Sequence, residues 1–164
     1  MAYTASNWSS FSVGVLGGAA TLVGLLFVAV SINLQRILEI AGLPTRAGQT
    51  LLFLATPLFV AIFVLVPGQS SSALAAELLF VAFVTGAAHL RVALQSDRSP
   101  EEPARLWVIS RLLPAAGITV CLAVAGGTLL ALGGGGLYWL VPSTVIAILF
   151  GIVNAWVLLV EILR

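Results

Sequence analysis

Residues 112–160 read LLPAAGITVCLAVAGGTLLALGGGGLYWLVPSTVIAILFGIVNAWVLLV, 49 positions without a charged side chain. As one straight helix this run would extend about 74 Å at 1.5 Å per residue. The hydrocarbon core of a bilayer is only about 30 Å thick. The run therefore has to fold back, and the four glycines at 133–136 mark the turn. Each half then supplies one apolar segment, at about 105–132 and 137–163. This division decides between five spans and four. The four-span alternative would need one segment to be re-entrant.

Outward from this stretch the same pattern repeats. Apolar segments run over about 11–34, 48–66 and 73–94. They are separated by Gly42-Leu43-Pro44, by Pro67-Gly68-Gln69 with three serines, and by the polar stretch 95–103. The first helix has the option of continuing to Ala41. The chain has 164 residues, 60% hydrophobic and 8% charged, with a mean hydropathy of +1.15. Soluble domains carry roughly 25% charged residues. So few charges cannot clothe a soluble surface, which excludes a cytosolic enzyme, a nucleic-acid binder and a disordered chain. The expected fold is one all-α integral membrane domain of five transmembrane helices.

The charges orient it. All seven basic residues are Arg. Arg36 and Arg46 flank the first loop, Arg91, Arg98, Arg105 and Arg111 flank the third, and Arg164 ends the chain. The second loop and the Gly turn carry none. The positive-inside rule then makes loops one and three and the C-terminus cytoplasmic, an N-out/C-in topology in the plasma (inner) membrane. Five spans put every Arg on one side, whereas an even number would strand Arg164. Trp8, Tyr138 and Trp139 mark the outer interface and Trp107 the inner one. Residues 1–10 lack the positive n-region of a signal peptide.

Function has to be sought in small and polar residues, because lipid gives helices no hydrophobic reason to pair. In the first span Gly14, Gly17, Thr21, Gly24, Val28, Ser31 and Gln35 follow alternating three-four spacing on one face. Gly14 and Gly18 form a GxxxG pair. In the third span Ala75, Leu79, Ala82, Gly86 and His89 share a face. In the fourth Ser110, Pro114, Gly117, Cys121 and Thr128 fall on a broader one. Thr144, Ala147, Gly151, Asn154, Leu158 and Glu161 do so in the fifth. Each stripe reads either as a packing seam or as the lining of an aqueous path. The first span is the best pore candidate, with Arg36 and Glu39 at a cytoplasmic mouth.

Ionisable groups inside spans are functional candidates because they are costly in lipid. Glu77 lies about one turn inside the third span, and its alternative is an acid reaching back to headgroup water. His89 is either a pH-responsive group or a satisfied interfacial one. Arg111 and Glu161 sit at similar depth, so they are expected to pair. Asn33 points away from the stripe and needs a second partner. Pro57, Pro114 and Pro142 can each kink a span. There is no Walker A loop, HExxH or nucleophile elbow, and no metal-type cysteine spacing around the lone Cys121. The expectation is a non-enzyme with no cofactor, no metal and no nucleic-acid partner. Its partners would be the lipid bilayer, copies of itself or other membrane proteins.

The segment GLLFVAVSINLQRIL (24–38), followed by GLPTRA (42–47), resembles a group of uncharacterised small multi-pass membrane proteins of high-GC, actinobacterial-type bacteria. The resemblance carries no assigned function and transfers no residue role. The residues themselves support two readings. One is a homo-oligomeric channel or pore for ions or small solutes, with the first span nearest the axis. The other is a non-catalytic accessory subunit packing against partner helices in a larger membrane complex.

Overall fold

A computed structural model describes residues 5–95, 112–132 and 135–163. All of its regular elements there are helical. We label them α1 (Ser9–Ile32), α2 (Leu34–Glu39), α3 (Leu43–Val64), α4 (Ser71–Gln95), α5 (Leu113–Leu132) and α6 (Leu140–Leu163), with short 3-10 turns at Ala5–Trp8 and Gly136–Trp139. Among the described residues, five helical segments are long and apolar enough to cross a membrane. The count agrees with the fold-back at the glycine run rather than with the four-span alternative.

The boundaries have local causes. Asn33 interrupts the first helix: its backbone leaves the helical region and its side-chain amide donates to the Ala29 carbonyl at 2.9 Å. This local bond offers the backbone an alternative to the helical ladder. A helix continuous to Ala41 is therefore replaced by a break and the six-residue α2. Gly42 adopts a left-handed conformation (φ 86°), and Pro44 stands in the first turn of α3. Proline is well placed at a helix start, where its missing N–H is not needed. The second span thus begins at Leu43, earlier than the position 48 that hydropathy suggests. Pro142 likewise lies in the first turn of α6 and Pro114 at the start of the described part of α5. Pro57, by contrast, lies in the interior of α3, well beyond its first turn.

The return from α5 to α6 uses two glycines for different reasons. Gly135 is left-handed, φ 86°. Gly136 is buried so tightly against Ala125, Thr128 and Leu129 that any Cβ would strike the α5 backbone.

Helices α3, α4, α5 and α6 form a four-helix bundle in which α3 touches α4 and α6, and α5 touches the same two. Its centre holds Phe53, Leu78, Ile118 and Leu122, all fully buried. Helix α1 lies outside, mainly on α3, contributing Leu26 to a second cluster with Ile37, Leu43, Leu54 and Leu158. Burial quantifies the difference: half of the apolar window of α3 is buried, but only 11% of that of α1. At one end of the bundle the Trp8 ring meets Phe11 and Tyr138 edge-on, with centroids 5.7 and 5.1 Å apart. The C-terminal ends of α1, α4 and α6 and the start of α3 lie at the other end. Outward faces are crowded with large apolar side chains such as Phe27, Ile32, Phe83 and Trp156, as contact with a lipid bilayer requires.

Candidate functional site

The small-residue stripes separate into two kinds. Those of α4, α5 and α6 are closed seams. A Cβ at Gly86 would meet Thr119, one at Gly126 would meet Leu79 and the Ala75 carbonyl, and one at Gly151 would meet Leu54. Thr144, Ala147, Gly151, Asn154 and Leu158 are all buried, as are Ala75, Ala82, Pro114 and Cys121. These glycines let backbones approach, which is how helices associate where burial alone gives no preference over lipid. Ser110 falls outside the described residues.

The α1 stripe is the opposite case. Gly14, Gly17, Thr21, Gly24, Val28 and Ser31 are exposed, and among the described residues nothing lies within 4 Å of a Cβ built on any of the three glycines or on Gly18. The helix instead buries Ser12, Ala19 and Leu26 against the bundle. The Thr21 hydroxyl donates to the Gly17 carbonyl at 2.8 Å, and the Ser31 hydroxyl to Phe27 at 2.7 Å. Both polar groups are thus satisfied within their own helix. Gln35, Arg36 and Glu39 are exposed on α2. The break at Asn33 puts Gln35 on α2 rather than on α1. Asn33 itself needs no second helix, since its own carbonyl four residues back accepts its amide.

A second constellation is internal. Arg46 donates to Glu161 at 2.5 Å, joining the start of α3 to the end of α6. The pairing expected for Glu161 was Arg111, but Arg111 lies outside the described residues, and it is Arg46 that meets the carboxylate. Leu54 packs on Gly151, so α3 and α6 run antiparallel in a fixed register. Two turns in from the ion pair, this register brings Asn154 to the level of Thr50 and Phe53. The His89 ring lies against Phe53, with centroids 4.7 Å apart. Gln49, Thr50, His89 and Asn154 therefore belong to one buried polar layer inside the bundle.

Most of that layer is satisfied. Thr50 donates to the Arg46 carbonyl at 2.8 Å, and His89 Nδ1 meets the Thr85 carbonyl at 2.8 Å. Thr85, 9% exposed, bonds back to Val81 at 2.7 Å. Among the described residues, two buried nitrogens have no hydrogen-bond partner: Nε2 of His89 and Nδ2 of Asn154. Such a group costs about 1–3 kcal/mol when left unpaired. His89 is 3% exposed, so its ring is buried inside the bundle.

At the opposite end the Gln69 amide donates to Glu77. The carboxylate is half-buried and tied to the α3–α4 loop. Among the described residues no group of three or more His, Cys, Asp or Glu is arranged to hold a metal ion.

The roles of Arg46 and Gln49 were not apparent from the sequence. Arg46 reads as a loop-flanking topology charge and Gln49 as the edge of a span. Only the α3–α6 register turns them inward. A partial signal existed in their spacing, since positions 46, 49, 50 and 53 share one helical face.

No protein family, curated protein or solved structure matches the chain. The fold therefore defines the class alone: among the described residues, a small bundle of five helices long and apolar enough to span a membrane, with the first helix at its edge.

Proposed function

We propose that the chain is a multi-pass protein of the plasma (inner) membrane that self-associates through α1 and acts as a channel or pore for ions or small solutes. The observation that carries this reading is the uncovered stripe. Three helices of the bundle use their small residues to pack inside the chain, whereas α1 presents Gly14, Gly17, Thr21, Gly24 and Ser31 outward. Placing α1 nearest a shared axis would line it with small and hydroxyl-bearing residues. Gln35, Arg36 and Glu39 would form its mouth, which the positive-inside rule makes cytoplasmic. The described arginines fit N-out/C-in insertion, since Arg36, Arg46 and Arg91 all fall at one end of the bundle.

The second reading is a non-catalytic accessory subunit whose α1 face seats a helix of another membrane protein. It is favoured by the back-bonded hydroxyls of Thr21 and Ser31, which leave the stripe with little unmet demand for water and open to close backbone approach.

Purified protein reconstituted in liposomes separates the two. Ion or solute flux that falls with Ser31→Phe supports the pore. No flux, with cross-linked homodimers also absent for Gly17→Cys in a Cys121→Ser background, refutes self-association through α1. Cross-linking without flux retains the self-associating face and removes the channel.

A further inference from the structure

We propose that the outer α3–α4 groove is a binding site for an anionic phospholipid of the surrounding leaflet, with one acyl chain in the groove and the headgroup phosphate on Arg91. A cleft of about 340 Å³ between these helices is walled by Phe59 and Phe63 of α3 and by Phe80, Val84 and Ala88 of α4. Val84 and Ala88 also line an adjoining recess of about 690 Å³ that reaches Arg91. The two are therefore one continuous surface, apolar along its length and cationic at one end.

Its length matches a single leaflet. From Phe80 to Arg91 the α4 axis advances about 16 Å, close to half of the roughly 30 Å hydrocarbon core. Charge selects the occupant. Arg91 is exposed, and no ion pair or hydrogen bond of its guanidinium is formed among the described residues. Of the described carboxylates, those of Glu77 and Glu161 are taken by Gln69 and Arg46, and Glu39, exposed at the end of α2, makes no ion pair with Arg91. A guanidinium near the end of a membrane helix can bind a phosphate diester in a bidentate manner. A zwitterionic lipid offers the same phosphate but cancels its charge. The groove is on a different face of α3 from the one covered by α1, which uses Ala47, Gly48 and Leu51. The site therefore does not depend on the oligomer proposed above.

Native mass spectrometry of the full chain in detergent tests this, with phosphatidylglycerol and phosphatidylcholine of identical acyl chains added at equal concentration. Wild type is expected to retain phosphatidylglycerol about fivefold more than phosphatidylcholine. Arg91→Gln should equalise the two, and Arg91→Lys should keep most of the preference. Ala88→Trp, which fills the groove, should lower retention of both lipids. Equal retention by wild type, or an undiminished preference in Arg91→Gln, overturns the headgroup assignment. Undiminished retention in Ala88→Trp overturns the groove.

Discussion

Gly126 and Gly127 are adjacent in the same helix, yet alanine should act on them in opposite directions. A Cβ on Gly126 would lie 2.7 Å from Leu79 Cγ and 2.9 Å from the Ala75 carbonyl oxygen. Carbon contacts are comfortable at about 3.5–4.0 Å, so α4 and α5 must separate by several tenths of an ångström. Leu79 can rotate away, but the Ala75 backbone cannot. Such overpacking costs about 1–3 kcal/mol, partly offset by the roughly 0.5–1 kcal/mol that Ala gains over Gly in a helix. Gly127 has nothing within 4 Å, so Gly127→Ala collects only the gain. The two variants should differ by about 2 kcal/mol, or roughly 4–8 °C in apparent Tm for a chain of this size. The assay is built in: Cys121 is buried and is the only cysteine, so a thiol-reactive dye reports thermal opening in detergent. If Gly126→Ala is as stable as Gly127→Ala, the α4–α5 seam is not held by backbone approach.

Other outcomes follow from the same contacts. Glu161→Leu should destabilise by about 1–2 kcal/mol by leaving Arg46 unpaired; this is below the buried-pair figure because both side chains are partly exposed. Adding Arg46→Met should recover most of the loss, and a strictly additive double mutant would show that the pair contributes nothing. Asn154→Leu should be neutral or stabilising in the dye assay, because it removes an unpartnered buried amide nitrogen. A loss above about 2 kcal/mol would instead mean the amide is engaged in the folded protein. Cysteines at Ala41 and Ser70, both exposed at opposite ends of α3, should label from opposite sides of sealed vesicles in a Cys121→Ser background. Ala41 should react from the cytoplasmic side, and same-side labelling would remove the α3 crossing.

Much of the architecture was legible in one dimension because its causes are one-dimensional. A bilayer demands long apolar segments with internally paired backbones, so hydropathy and the glycine run were enough to count five helices. The helix starts were less legible. Pro44 begins α3 well before its apolar core, and hydropathy does not sense a proline in a first turn. The Asn33 break is not legible in spacing, because a mid-helix Asn can bond either across helices or to the carbonyl four residues back, and here it does the latter.

The site divides in the same way. Composition and spacing by themselves found the stripes, the intramembrane ionisable residues and the cationic loops, because helical period places residues on a face whatever surrounds the helix. Spacing does not say what that face meets. The three-four pattern of Gly14, Gly17, Thr21 and Gly24 is equivalent in sequence to that of Thr144, Ala147, Gly151 and Asn154, yet one is open and the other closed on α3. Only tertiary register decided this, and with it that Glu161 meets Arg46 across 115 residues and that His89 lies on Phe53. In lipid the apolar faces of helices are nearly interchangeable, so the choice of neighbour is left to backbone approach and a few polar contacts between distant parts of the chain.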